Sequence, residues 1–158
     1  MDAGLAEVRH LDRPLPADGV RPRRVAVELV GGKLDVTGGG GNDVVTVLAS
    51  NVSGSVKASL GEGLNVLSFR IGSSFGGSIG ATSGSGDDVL TLDAVAVAKN
   101  VKFTAGEGQN LVEVTQSNVA GKVEIRTGNG DDTIDLTNSP IGGAVTIAAG
   151  GGTNGITP

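Results

Sequence analysis

The chain has 158 residues and a net charge of -5. It is rich in glycine and aliphatic residues and carries three aromatic residues, all phenylalanine. The acidic balance disfavours nucleic acid and anionic membranes as partners, and the lack of Tyr and Trp disfavours stacking platforms for bases or sugars. The absence of cysteine excludes disulfides and thiolate sites, and no apolar run is long enough to insert into a membrane.

Residues 1–24 form a segment with several prolines and arginines that precedes any regular pattern, and we predict a flexible leader there. His10 is the sole histidine, and it lies in this segment without the positioned partner that general-base chemistry requires. Arg21, Arg23 and Arg24 are more typical of a charged linker than of a binding surface for an acidic partner. The first residues also lack the apolar core of a secretion signal.

The segment 24–30 alternates between apolar and polar residues and predicts a strand directly after the leader. This strand could close the first turn of its own fold, or it could add to an exposed strand of a neighbouring chain. Unpaired strands at the two ends of a β-solenoid invite association. The sequence therefore yields four candidate assembly residues, Val25, Val27, Leu29 and Ile156.

From residue 39 onward the chain carries a glycine pattern with a fixed period. Pairs of glycines two residues apart recur at spacings of 22, 23, 22, 22 and 22 residues, and the second glycine of each pair is Gly41, Gly63, Gly86, Gly108, Gly130 or Gly152. Each period holds two short apolar segments with period-two spacing, such as Val123 with Ile125 and Ile134 with Leu136. A short fixed period built from strand-like segments is typical of a solenoid.

We therefore predict an all-β protein in which residues 25–158 form one parallel β-helix. It has about six coils of 22 residues, each with two main short strands. Right-handed winding is expected because strand crossovers strongly favour that hand. The one 23-residue period predicts a local bulge between Val52 and Phe75.

The residue two positions after each periodic glycine alternates between Asp and Asn. In stacked coils these residues would form one column, so an all-Asp column would place like charges side by side. Asn both donates and accepts hydrogen bonds, whereas an ionised Asp only accepts. We predict a turn ladder that consists of Asp43, Asn65, Asp88, Asn110, Asp132 and Asn154.

Two glycine turns, 84–90 and 128–134, resemble the glycine–aspartate repeats of secreted haemolysin-type calcium-binding proteins. The resemblance implies calcium binding by Asp87, Asp88, Asp131 and Asp132, whose oxygens are suitable ligands for this ion. Read from the residues alone, one Asp of each pair belongs to the turn ladder and its neighbour is solvated. That second interpretation is the favoured one, so no cofactor is predicted and calcium remains the alternative.

The opening segment 11–17, followed by 27–38, is similar to the start of large secreted repeat proteins of planctomycete-type bacteria. This resemblance implies an extracellular or cell-surface setting and no defined activity. The chain holds no credible Ser/His/Asp set, phosphate loop or metal-ligand spacing, so we predict a non-enzymatic protein.

Three functional hypotheses follow. The favoured one is a structural protein whose rods associate with copies of themselves, end to end, as a fibre or surface layer. The alternative is a calcium-binding module of a larger secreted adhesin or repeat protein. A fragment of a polysaccharide lyase or hydrolase is the least favoured, because it would need catalytic loops that the sequence does not contain.

Overall fold

The computed structural model describes residues 32–158, together with the backbone of two earlier strands at 6–8 and 23–27. The described residues contain β-strands and turns and no helix, so no helix among them could cross a membrane. The strands are β1 (Ala6–Val8), β2 (Arg23–Val27), β3 (Leu34–Gly40), β4 (Asp43–Leu48), β5 (Asn51–Val52), β6 (Val56–Glu62), β7 (Val66–Arg70), β8 (Ser74–Phe75), β9 (Ile79–Thr82), β10 (Val89–Asp93), β11 (Ala96–Val97), β12 (Val101–Thr104), β13 (Leu111–Thr115), β14 (Asn118–Val119), β15 (Val123–Arg126), β16 (Thr133–Asp135), β17 (Val145–Ala148) and β18 (Gly155–Thr157).

Every strand pairing is parallel, and the strands form three sheets that run along one stack of coils. Sheet A has the order β1-β3-β6-β9-β12-β15-β17, sheet B has the order β2-β4-β7-β10-β13-β16-β18, and sheet C has the order β5-β8-β11-β14. Each strand pairs with the equivalent strand one coil away, as Val101 does with Val123. The predicted β-solenoid with a spacing of about 22 residues is confirmed.

The coils begin at Leu34, Val56, Ile79, Val101, Val123 and Val145. The two main strands of each coil contribute to sheets A and B, and four of the coils add a short strand of sheet C, in which Val52, Phe75, Val97 and Val119 are buried. Inward residues of all three sheets form one apolar core. Phe69 and Phe75 meet in it edge to face, with ring centroids 5.2 Å apart.

The extra residue of the 23-residue period lies in the turn between β7 and β8. Three residues, 71–73, connect these strands, whereas two residues connect the equivalent strands of the neighbouring coils. Gly72 takes a left-handed conformation with φ 78°, and Ile71 points into solvent with 67% exposure. The turn thus absorbs the insertion without shifting the pairing of Ser74 and Phe75 with the strand on either side.

The predicted leader, 1–24, falls outside the described residues except for β1 and the first two residues of β2. His10 and Arg21 lie outside them, as does Leu29. Strand β1 pairs with β3, and β2 pairs with β4 over its full length from Arg23 to Val27. The parallel pairing of sheets A and B therefore extends one strand beyond the first complete coil.

Candidate functional site

The glycine turns between sheets A and B stack into one edge of the solenoid, and they do so at close range. Gly108 has φ 121°, a left-handed conformation that glycine adopts without penalty. A Cβ atom at Gly108 would collide with the carbonyl oxygen of Gly86 in the coil before it. The periodic glycines are needed both for the turn conformation and for the approach of successive coils.

The six predicted ladder residues follow these glycines and lie in one column. The backbone N–H of each donates to the side-chain Oδ1 of the equivalent residue in the next coil. The five N–O distances are 3.1 Å for Asp43 to Asn65, 3.0 Å for Asn65 to Asp88, 3.2 Å for Asp88 to Asn110, 3.0 Å for Asn110 to Asp132 and 3.0 Å for Asp132 to Asn154. The ladder is therefore a chain of backbone-to-side-chain hydrogen bonds that joins the coils.

The Asn side chains also close their own turns. Asn65 Nδ2 donates to the carbonyl oxygens of Gly61 at 3.0 Å and Gly63 at 3.1 Å, and Asn110 makes the equivalent pair of bonds. Asn110 Nδ2 also lies 3.0 Å from Asp132 Oδ1. Each buried Asn therefore makes hydrogen bonds both within its own turn and with the neighbouring coil.

The Asp side chains cannot make the turn-closing bonds, because a carboxylate has no donor. Asp88 and Asp132 are both 1% exposed, and the Oδ2 atom of each has no hydrogen-bond partner. Ser83 Oγ and Thr127 Oγ1, each five residues earlier in its coil, are also buried and make no hydrogen bond of regular geometry. The Asp turns thus contain a buried carboxylate oxygen and a buried hydroxyl that lack regular hydrogen bonds, which is not found at Asn65 or Asn110.

Burial raises the pKa of Asp88. The effect of burial on this pKa outweighs the lowering effects of the Ser83 hydroxyl and of the hydrogen bonds from Asn65. The neighbouring charge of Asp87 raises the pKa further. The three turns around this carboxyl, 61–65, 84–88 and 106–110, contain the acids Glu62, Asp87 and Glu107 and no basic residue. No cation in these turns offsets the cost of the buried charge.

Asp87 and Asp131 lie on the exposed outer side of the same turns. Each accepts a backbone N–H from the following coil through Oδ1, at 2.8 Å from Gln109 and 2.7 Å from Thr153. The turn tips are tied in the same way, since Glu62 Oε2 accepts the backbone N–H of Ser85 at 2.8 Å. The Ser85 hydroxyl also donates to Glu62 Oε2. The bond from this hydroxyl and the bond from the backbone N–H of Ser85 lower the pKa of Glu62.

The four predicted calcium ligands come together as two pairs on one edge, at Asp87 with Asp88 and at Asp131 with Asp132. All four Oδ1 atoms accept backbone N–H groups. Among residues 32–158, no cluster of three or more His, Cys, Asp or Glu side chains is arranged to hold a metal ion. Of the four Oδ2 atoms, those of Asp88 and Asp132 are buried, and those of Asp87 and Asp131 belong to exposed residues.

Two further polar columns were missed by the sequence reasoning. At the corner before sheet C, Ser73 Oγ accepts the N–H of Ser50 at 3.2 Å, and Ser117 Oγ accepts that of Val95 at 3.2 Å. At the corner after sheet C, Asn100 Oδ1 accepts the N–H of Lys122 at 3.0 Å. The recurrence of Ser at this spacing was the available signal, although it is weaker than that of the glycines.

A second candidate surface is the exposed face of the last coil. Val145 and Ile156 are 45% and 49% exposed, whereas their register partners Val123 and Ile134 are 0% and 1% exposed. Ile156, one of the predicted assembly residues, thus lies at one end of the stack. Val25 and Val27 lie in β2 at the opposite end, opposite Val45 and Val47 of β4.

The fold and these two surfaces define a parallel β-solenoid with a hydrogen-bonded turn edge and exposed apolar residues in its last described coil. Comparison of the chain with family models, curated proteins and solved structures finds no match.

Proposed function

We propose that this protein is a non-enzymatic structural component of the extracellular space or cell surface, whose rods associate head to tail into a fibre or surface layer. The observation that carries this proposal is the exposure of Val145 and Ile156 in the last coil, at positions whose equivalents in the earlier coils face the core. These positions continue columns that are fully buried in every earlier coil from Leu34 onward. Burial of this surface against another coil would remove apolar area from water.

The chemistry of the last coil supports association. Residues 137–158 contain no Asp, Glu, Lys or Arg, so β17 and β18 lack the charged side chains that normally protect an edge strand. Within the described residues, β17 pairs only with β15, and β18 pairs only with β16. One side of each strand therefore offers backbone donors and acceptors to a further strand.

The non-enzymatic part of the proposal is supported by how the buried polar groups are used. The ladder side chains of Asn65 and Asn110 are engaged in bonds between and within coils rather than directed at a cavity. The extracellular or cell-surface location depends on the similarity of the opening segment to secreted repeat proteins.

A sedimentation experiment tests the association. We expect the purified chain to form species whose size increases with concentration, seen as rods or filaments by electron microscopy. Ile156→Lys places a charge on the open end and should suppress these species at least tenfold, because lysine disfavours edge pairing. Ile71→Lys is the matched control, since Ile71 is exposed on the wall of the solenoid, and it should leave association unchanged.

A chain that stays monomeric at high concentration contradicts the proposal. So does an equal loss of association in both lysine variants, since that result would indicate a general effect of added charge.

The second candidate is a calcium-binding module of a larger secreted adhesin or repeat protein. The observation in its favour is the pair of buried, unpartnered Oδ2 atoms of Asp88 and Asp132. Calorimetric titration with calcium, together with melting in the presence and absence of chelator, tests it. Heat of binding and a rise in melting temperature that both disappear in Asp88→Asn and Asp132→Asn would favour this function. No heat and no shift would remove it.

A further inference from the structure

The further inference rests on the proposed end-to-end association and concerns its register. Two columns of paired residues run through the whole stack. In sheet A the column is Ala6, Leu34, Val56, Ile79, Val101, Val123 and Val145. In sheet B it is Val25, Val45, Leu67, Leu90, Val112, Ile134 and Ile156.

We propose that the last coil of one molecule pairs in parallel with the first strands of a second copy, so that both columns continue without a shift. In this contact β17 adds to β1 and β18 adds to β2. Val145 lies opposite Ala6 of the next copy, and Ile156 lies opposite Val25. The surface that covers the last coil is thus formed by β1 and β2 of a second copy of this chain.

The repetition of the coils is the reason for choosing a second copy. Within the molecule, each coil accepts another coil of the same pattern through sheets A and B at once, and the same pairing occurs five times between Leu34 and Val145. The open end presents the same two strands in the same register. A further pair of parallel strands in this register is therefore the surface with a demonstrated fit, and a second copy supplies such a pair at β1 and β2.

The head-to-tail arrangement is favoured over a tail-to-tail dimer on geometric grounds. A two-fold axis perpendicular to the rod reverses the direction in which the chain passes around the section. Sheets A and B of one tail then cannot both lie over their counterparts in the other, so the two columns cannot both continue across the contact. Parallel addition pairs both, and a contact between different surfaces does not close on itself and continues as a filament.

The number of strands fixes the repeat along the filament. Within the described residues, sheets A and B each contain seven strands, and neighbouring strands lie about 4.8 Å apart, so each molecule would advance the filament by about 34 Å. An axial repeat that departs from this value by more than one strand spacing would contradict the register.

Cysteine cross-linking tests the register directly, because the chain contains no cysteine of its own. Glu7 and Thr146 share one column, through Asp35, Lys57, Gly80, Lys102 and Glu124. In the proposed contact their Cα atoms lie about 4.8 Å apart, within the range that a disulfide spans. Within one molecule they are six strand spacings apart, about 29 Å, so every disulfide formed must join two molecules.

The matched control is the pair Glu7→Cys with Ala148→Cys. Ala148 lies on the same exposed side of β17 as Thr146, two residues further along. The shift places its Cα about 8 Å from that of residue 7 in the next copy, beyond the reach of a disulfide. We expect Glu7→Cys with Thr146→Cys to form covalent polymers on oxidation at least tenfold faster than this control.

The outcomes separate the register from the association itself. Equal cross-linking of the two pairs, or none in either while sedimentation still shows assemblies, overturns the register and leaves the proposed function standing. Disulfide dimers of the single variant Thr146→Cys, without polymers of the double variant, indicate tail-to-tail contact and overturn it as well. Absence of assemblies in every variant and in the parent chain overturns both proposals.

Discussion

The interior coils and the last coil have the same sequence pattern and very different surroundings. Ile134 and Ile156 occupy the same column, and so do Val123 and Val145, yet the exposed fractions are 1% and 0% for the first of each pair and 49% and 45% for the second. The pattern determines which side chains face inward. Burial, however, requires a coil on both sides.

The polar groups show the same contrast. Asn110 is 2% exposed; its amide group donates to Gly106, Gly108 and Asp132 and accepts the N–H of Asp88. Asn154 is partly exposed; it accepts the N–H of Asp132 in a part-buried bond and donates to Gly150 in an exposed one. Satisfied hydrogen bonds therefore matter most where water cannot replace them.

The largest expected effect comes from shortening one side chain in each environment. Ile134→Ala leaves a cavity in the closed core and should lower the free energy of unfolding by about 3 kcal/mol. Ile156→Ala removes a half-exposed side chain and should cost less than about 1 kcal/mol. Urea unfolding of the two variants measures the difference. Similar losses of unfolding free energy in the two variants would show that the last coil is covered in solution. If the rods associate, the loss measured for Ile156→Ala therefore depends on protein concentration.

The corresponding difference in unfolding free energy between a buried and a partly exposed ladder Asn should be smaller. Asn110→Ala leaves the buried N–H of Asp88 and the Gly108 carbonyl without their partner, whereas the Gly106 carbonyl keeps the N–H of Gly128, and it should cost about 2 kcal/mol. Asn154→Ala should cost about 1 kcal/mol or less, because water can reach its partners. Thermal unfolding of both variants at one protein concentration provides the test. A cost at residue 154 equal to that at residue 110 would contradict the contrast.

Asp88→Asn sharpens the comparison in the opposite direction, since it repairs an interior turn. The Asn amide would retain Oδ1 for the N–H of Asn65 and supply the missing turn-closing donor, as Asn110 does in the next coil. We expect a gain of about 1 kcal/mol at neutral pH with chelator present. Asp87→Asn is the control, because that exposed side chain keeps its Oδ1 acceptor and should change stability little. A destabilised Asp88→Asn would show that the carboxylate has a partner of its own.

The smallest effect is a change of this gain with pH. The pKa of Asp88 is raised in the folded state, so its protonation stabilises the fold. That contribution is fully present below the ordinary pKa of aspartate and is lost as the pH rises through the raised value. The stability of Asp88→Asn relative to the parent chain should therefore shrink on acidification. The lowered pKa values of Glu62 and Asp135 act with the opposite sign in both proteins and cancel in the difference. A difference that stays constant with pH would contradict the assignment.

The turn ladder shows how far sequence reasoning reached. The glycine period predicted the six positions that are hydrogen-bonded along one column, and the interpretation of the Asp/Asn alternation as a separation of like charges stays a prediction. The direction of the bonds was not visible, because it depends on where the backbone N–H of one coil meets the side chain of the next, as at Asp88 and Asn110. The unpartnered Oδ2 atoms were also beyond the sequence, since they depend on how deeply the turn is buried.

The sequence by itself determined the period, the inward columns and the strand character of this protein, because these features follow from local spacing of glycine and β-branched residues. Only the tertiary structure decided which members of a column are buried, which oxygen of each Asp is satisfied and where the extra residue at 71–73 is absorbed. The physical reason is that a coil buries nothing alone. Its environment is created by the coils packed against it, as the different exposure of Ile134 and Ile156 shows.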